Sequence, residues 1–279
     1  MKKVYMFIVT VLMLSLSACS ISQEQNSTVT DKSKESVANY SNLDDYFEGI
    51  NGCAVIFDKQ NNKYYFRNED ITHDQVSPYS TFKVMATLIG LQNGIIKDEQ
   101  STMNYNGGEY PLDAWNENLS LEQAFKSSCI WYFRKIIDAA GKNEVEKELG
   151  EISYGNCDIS QWNGNDTNPM PDLNGFWINS SLQISPLEQV KVLAQIFENQ
   201  SIYSSNHVNI LKNIMLVEDN GTSKIYGKTG SGPDGKAWFI GFKEQGDKRE
   251  YFAVYLNDRN KQEEINGQKA KEIALKIMV

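Results

Sequence analysis

Ser80 and Lys83 stand three residues apart in the run Pro78-Tyr79-Ser80-Thr81-Phe82-Lys83. On a helix that spacing puts a hydroxyl and an amine on one face. A serine hydroxyl is a poor nucleophile until a neighbour takes its proton, and burial can tune a lysine to do so. Phe82, Met85, Leu88, Ile89 and Ile95 follow at nearly helical spacing, with Gly94 as a stop, so the spacing predicts a buried apolar helix. Pro78 biases its predecessor away from helix, which puts Ser80 at or just inside the N-terminus. Ser-x-x-Lys is a weak pattern by itself, and a capping serine followed by a surface lysine is the plain alternative.

Four further groups could work with this pair. Ser128-Cys129-Ile130 falls within a helical pattern, where such a triplet alone reads as one turn of core helix. Lys228-Thr229-Gly230 ends or follows a strand and runs into a glycine-rich turn, where a cation, a hydroxyl and close backbone can meet a ligand. Tyr154-Gly155-Asn156 opens a long loop, and alone reads as a turn. Phe176-Trp177 lies towards the end of that loop, where an aromatic pair is more often core than chemistry.

These residues need elements to hold them. Leu43 to Phe47 reads as a short helix, and Cys53 to Asp58 with Tyr64 to Phe66 as a hairpin around Asn61-Asn62. Leu119 to Gly141 carries a helical apolar pattern, with Ser120 as N-cap and Gly141 as stop. Leu187 to Phe197 is a second helix, capped by Ser185 with Glu188 three residues on and Pro186 first. The stretch Tyr154 to Ser181 is rich in Asn, Gly, Asp and Pro, and loops of that length tend to be functional. Strands follow from Lys224 to Tyr226, Ala237 to Phe242 and Tyr251 to Leu256, separated by short turns and so antiparallel neighbours. Gly267 to Met278 is a closing amphipathic helix.

The 279 residues carry a net charge of −9 and no Lys/Arg-rich patch, which argues against nucleic acid and acidic membrane surfaces as partners. With only His73 and His207, and no metal spacing among the cysteines, no metal site is expected. Lys2 and Lys3 precede an apolar run from Val4 to Leu16, too short to span a bilayer permanently and shaped like an export signal. Leu16-Ser17-Ala18-Cys19 resembles a bacterial lipoprotein cleavage box, which makes Cys19 the lipidated N-terminus and membrane anchor; ordinary secretory cleavage is the alternative. Cys53, Cys129 and Cys157 remain, an odd number whose default state is a buried free thiol. The expected layout is a signal over 1–19, a polar tether over 20–40, and one domain over 41–279.

In this order, Ser80 to Lys83, Ser128 to Ile130, Tyr154 to Asn156, Trp177, Lys228 to Gly230 and the phrase Ala237 to Phe242 resemble the serine penicillin-recognising enzymes, most closely class D (oxacillinase-type) β-lactamases. The resemblance covers roughly Gly52 to Met278. It implies an α+β fold: an antiparallel sheet, five-stranded at its core, flanked by terminal helices, with an all-helical region inserted. It also implies hydrolysis of β-lactams, with Ser80 as acylated nucleophile and Lys83 carboxylated to N6-carboxylysine as general base. Carbon dioxide or bicarbonate is the only accessory molecule implied. Trp177 would donate to the carbamate, Ile130 keep the pocket dry, Ser128 relay a proton, Lys228 supply positive charge and Thr229 bind the substrate carboxylate. Gly230 leads into Ser231, whose N–H would join that of Ser80 in an oxyanion hole.

Two positions depart from the family pattern. Ile265 to Lys269 holds no arginine for the substrate carboxylate, leaving Arg259, Lys269, or Lys228 with Thr229 for that task, and Tyr79 is larger than expected beside the nucleophile. A β-lactam sensor that deacylates slowly, a cell-wall transpeptidase and a lipid-anchored binding protein without chemistry are the competing functions. The oligomeric state is left open by the sequence.

Overall fold

The computed structural model describes Tyr40 and residues 42–278. The signal over 1–19, its Cys19, and the tether up to Asn39 lie outside the described residues. Tyr40 itself already packs on Tyr65, with ring centroids 5.0 Å apart.

Strand alternation sends side chains to two cores. In β1 (Gly52–Asp58), Cys53, Val55 and Phe57 enter the larger core while Ala54 and Ile56 enter the other. With both faces covered, such strands read as continuous apolar runs. After β2 (Lys63–Arg67) come α1 (Lys83–Gln92), a two-stranded ribbon of β3 (Thr102–Met103) and β4 (Leu119–Ser120), then α2 (Leu121–Lys126), α3 (Ile130–Ala140), α4 (Lys142–Glu151), α5 (Pro186–Phe197) and α6 (Ser205–Met215). The chain returns to the sheet through β5 (Leu216–Asp219), β6 (Lys224–Ser231), β7 (Lys236–Gln245) and β8 (Lys248–Asn257), and closes with α7 (Gly267–Met278).

The main sheet has six strands in the order β2-β1-β8-β7-β6-β5, all antiparallel. Five are those expected, and β5 adds an edge strand that the periodicity over Leu216–Asp219 does not announce. It pairs only with Lys224 to Tyr226, so β6 from Gly227 onward keeps an unpaired edge. α7 covers one face, with Ala270, Ile273, Ala274 and Ile277 against Phe239, Phe252 and Val254. The inserted helices cover the other face.

The single helix expected over Leu119 to Gly141 is two helices. Ser120 caps α2 in a reciprocal pair with Gln123, but the helix ends at Lys126. Ser128 takes a φ of +59°, Cys129 N–H reaches back to Ala124 O at 2.8 Å and Ser128 N–H to Phe125 O at 3.2 Å. This is a Schellman stop with serine where glycine is usual. The break escapes the periodicity because Phe125, Cys129 and Phe133 keep a spacing of four across it, all buried. Ser128 therefore stands at a corner between helices and not inside one.

Candidate active site

Ser80 sits in a single 3-10 turn, Tyr79–Phe82, and Lys83 is the first residue of α1. The turn is held from several sides. Thr81 Oγ1 donates to Pro78 O at 2.7 Å and accepts from Gln189 Nε2 of α5 at 2.9 Å, while Trp238 Nε1 of β7 donates to Ser77 O at 3.1 Å. Lys83 Nζ lies 2.9 Å from Ser80 Oγ. Only 1% of Lys83 is exposed, so the surface-lysine reading does not hold. Burial brings its pKa from 10.5 down to about 7, with the Cys129 thiol acting weakly the other way. The ring of Phe133 lies 5.6 Å from the amine.

Ser128 and Lys228 form a second pair. Lys228, on β6 and also buried, donates to Ser128 Oγ at 2.8 Å and to Thr229 O at 3.1 Å. Burial first, then the nearby Lys83, hold its pKa well below the ordinary value. The left-handed backbone of Ser128 is what aims its hydroxyl here, and a non-glycine residue is kept in such a conformation only when its surroundings demand it. Two hydroxyl–amine pairs thus serve the site, and burial disfavours the charged form of both amines.

The long loop delivers Trp177. Its ring stacks on Phe82 at 5.2 Å between centroids, its carbonyl accepts from Tyr79 N–H at 3.0 Å, and its buried Nε1 has no partner among the described residues. A buried indole N–H without an acceptor is uncommon and unfavourable by about 1–3 kcal/mol. An acceptor in this pocket would remove that cost, and a carboxyl group on Lys83 would be one. The residues present fit such a group: a lysine neutral enough to take up carbon dioxide, an apolar enclosure and a spare donor.

Residues 31–279 match the family described as the penicillin binding protein transpeptidase domain. The chain belongs to that family. "Regulatory protein BlaR1" of Staphylococcus aureus is 34% identical over 236 residues, covering 83% of this chain but only 38% of its own length. "Probable beta-lactamase YbxI" of Bacillus subtilis (strain 168) is 30% identical over 239 residues, covering 85% of this chain and 83% of its own. Among solved structures, the "Class D beta-lactamase BAT-2" superposes with a TM-score of 0.77 at 31% identity, covering 86% of this chain and 96% of that one. Within the family the chain thus stands beside the class D β-lactamases and the regulatory protein BlaR1, with the penicillin-recognising serine fold.

The rest of the family-like residues fall around these two pairs. Ile130 opens α3, half-buried at the corner beside Ser128. Thr229 and Ser231 turn towards α7, where Ser231 Oγ accepts from Gly267 N–H at 2.9 Å. Gly230 faces the nucleophile turn: a Cβ there would sit 3.2 Å from Pro78 O. Tyr154 packs edge-on to Phe82 at 5.9 Å. Gly155 and Asn156 act structurally, since Asn156 ties the start of the loop to Ser181 O and Gln183 N–H, and a Cβ on Gly155 would lie 1.9 Å from Gln183 O. Cys53, Cys129 and Cys157 are free thiols, Cys157 only partly buried.

Of the cations weighed for a substrate carboxylate, Arg259 pairs with Asp234 at 3.1 Å and Lys269 with Glu272 at 4.0 Å. The cavity of about 270 Å³ that contains Lys228 and Thr229 is also lined by Lys271 and Gln268, and by Lys126, which pairs with Glu122 at 2.5 Å. No sequence motif marks Lys126 or Lys271. Sequence reasoning also misses Arg134, which donates to Trp162 O at 3.0 Å and Asn174 O at 3.3 Å, clamping the loop that carries Trp177. An arginine on an otherwise apolar stripe of a helix is the signal that could have found it.

Proposed function

We propose that this protein hydrolyses β-lactam antibiotics through an acyl-enzyme on Ser80. The observation that carries the reading is the 2.9 Å approach of Lys83 Nζ to Ser80 Oγ, with the lysine buried and its pKa brought to about 7, so that much of the amine is neutral and able to accept a proton. Ser80 Oγ attacks the lactam carbonyl as its proton passes to Lys83. Backbone N–H groups of Ser80 and Ser231 face the developing oxyanion. The lactam C–N bond breaks and its nitrogen takes a proton through Ser128, which Lys228 resupplies. Thr229, with Lys126 and Lys271 near it, receives the substrate carboxylate. A water then adds to the ester carbon, the bond to Ser80 Oγ breaks, and the ring-opened acid leaves. A carboxyl group taken up from carbon dioxide on Lys83 would supply an anionic general base; Trp177 Nε1 would hold it, and Ile130 and Phe133 would keep water from it.

The export signal and Cys19 extend the reading: the mature protein is a lipoprotein on the outer face of a bacterial membrane, with the tether holding the domain away from it. A second reading is favoured by the 34% identity to BlaR1: a sensor domain that acylates and then deacylates slowly. A chromogenic cephalosporin separates the two. Many turnovers per protein, lost in Ser80→Ala, support hydrolysis; one equivalent followed by arrest supports the sensor; no reaction of the wild type overturns both.

A further inference from the structure

Tyr79 is given no role by the chemistry above, yet it joins the nucleophile turn to the long loop and to the turn after β6. Its φ is +49°, a conformation uncommon for a bulky residue and kept only where the surroundings enforce it. The side chain is 3% exposed, so it does not narrow the open cleft, as its size alone would imply. Its N–H donates to Trp177 O at 3.0 Å and its hydroxyl to Asn179 Oδ1 at 3.3 Å, both on the long loop. Its ring lies on Gly232: a Cβ there would be 2.2 Å from Tyr79 Cζ and 2.4 Å from Cε2. No side chain fits at 232 while that ring is in place.

Gly232 is itself fixed to the sheet, because its N–H donates to Lys236 O at 2.8 Å and closes the turn between β6 and β7. Ladder alternation then turns the N–H of Ser231 the other way, to the unpaired edge of β6. Tyr79 immediately precedes one proposed oxyanion donor, and Gly232 immediately follows the other. The ring on Gly232 thus lies beside Gly230, which faces Pro78 O, at the contact of the nucleophile turn with β6.

We propose that Tyr79 is a positioning residue whose ring, seated on Gly232, sets the separation of the Ser80 and Ser231 N–H groups, and that this contact is the reason glycine stands at 232. The inference rests on the acylation reading above. An oxyanion donor acts chiefly in the transition state, so misplacing one lowers the acylation rate constant more than it weakens substrate binding. Removing such a donor outright lowers rate by about 10²–10³, which bounds the effect of a shift.

The test is a double-mutant cycle in the full-length protein, read as single-turnover acylation by a chromogenic cephalosporin, with thermal unfolding measured beside it. Gly232→Ala drives the strand edge off the ring and should lower the acylation rate constant by about 30-fold, with apparent binding within about threefold. Tyr79→Gly suits the left-handed backbone and removes the ring; alone it should cost about tenfold, and combined with Gly232→Ala it should recover most of the loss. Tyr79→Phe keeps the ring and should stay within about threefold of wild type. If Tyr79→Gly shows no cooperative unfolding, Tyr79→Leu, which also withdraws the ring, takes its place with the same expectation. Additive losses in the cycle, or a Gly232→Ala rate within about threefold of wild type, overturn the role of Tyr79 while the acylation reading stands. A wild type that is never acylated overturns both.

Discussion

Replacing Lys83 with methionine should stabilise the protein while slowing acylation and ending turnover. The side chain keeps nearly the same length and volume, and its end stays among apolar neighbours such as Phe133. What disappears is the amine, whose pKa is about 7 in the fold against 10.5 for an ordinary lysine. Between those values the unfolded chain binds a proton that the folded chain does not, so stability rises with pH across that window and is lowest below it. At pH 7 the gap corresponds to about 4 kcal/mol of destabilisation by the lysine. Losing its hydrogen bond with Ser80 returns about 1 kcal/mol, which leaves a net gain of about 3 kcal/mol for Lys83→Met. For a domain of this size that is roughly 6–12 °C in melting temperature. Wild type and variant should be unfolded in urea and by heat in carbon-dioxide-depleted buffer from about pH 6.5 to about pH 10. The difference between the two proteins cancels the tyrosines and cysteines that titrate independently, and it retains Lys83 with the two groups it acts on, Lys228 and Cys129. It should be largest near neutrality and close to zero by about pH 10. No gain near neutrality, or an equal gain throughout, would refute the claim that the buried amine is held neutral at a cost.

Trp177→Phe keeps an aromatic ring against Phe82 but removes the unpartnered N–H together with one ring of the indole. In carbon-dioxide-depleted buffer the gain of about 1–3 kcal/mol from losing the N–H is offset by about 1 kcal/mol for the lost volume, so by urea titration it should be no less stable than wild type. With bicarbonate present, its deacylation should be at least about tenfold slower than wild type, acylation changing less. Gly155→Ala meets both a φ of +54° and the Gln183 carbonyl; it should cost at least about 2 kcal/mol and loosen the loop, seen as faster amide exchange around Trp177. Cys19→Ser should move the protein from the membrane fraction into the medium or leave its signal uncleaved, and unchanged fractionation and processing would remove the lipid anchor from the account.

Much of this site can be read from the sequence, because its motifs are short and each sits on one element. The Ser80 to Lys83 spacing needs only a helical turn, and Lys228 to Gly230 only an edge strand. Ser128 is legible as a residue but not as a structure, since Phe125, Cys129 and Phe133 hold the helical phase across a break that only the φ of Ser128 reveals. β5 escapes because Leu216 to Asp219 is half exposed and lacks strong alternation. Lys126 and Lys271 are not legible at all, since only a cavity shared with β6 marks them, and Arg134 shows only as a charge on an apolar helix whose loop partners lie 28 and 40 residues on. Tyr79 draws notice by its size, but its burial against Gly232 depends on β6 lying beside the nucleophile turn, a tertiary fact.

The residue to which a β-lactam becomes attached decides whether Ser80 is the nucleophile. The protein should be incubated with a slowly hydrolysed penicillin, quenched in acid, weighed intact and then mapped by peptide mass spectrometry. The prediction is one covalent adduct per chain, on the peptide containing Ser80, absent from Ser80→Ala and slow to form in Lys83→Met. An adduct on any other residue, or none on a folded wild-type protein, would contradict it.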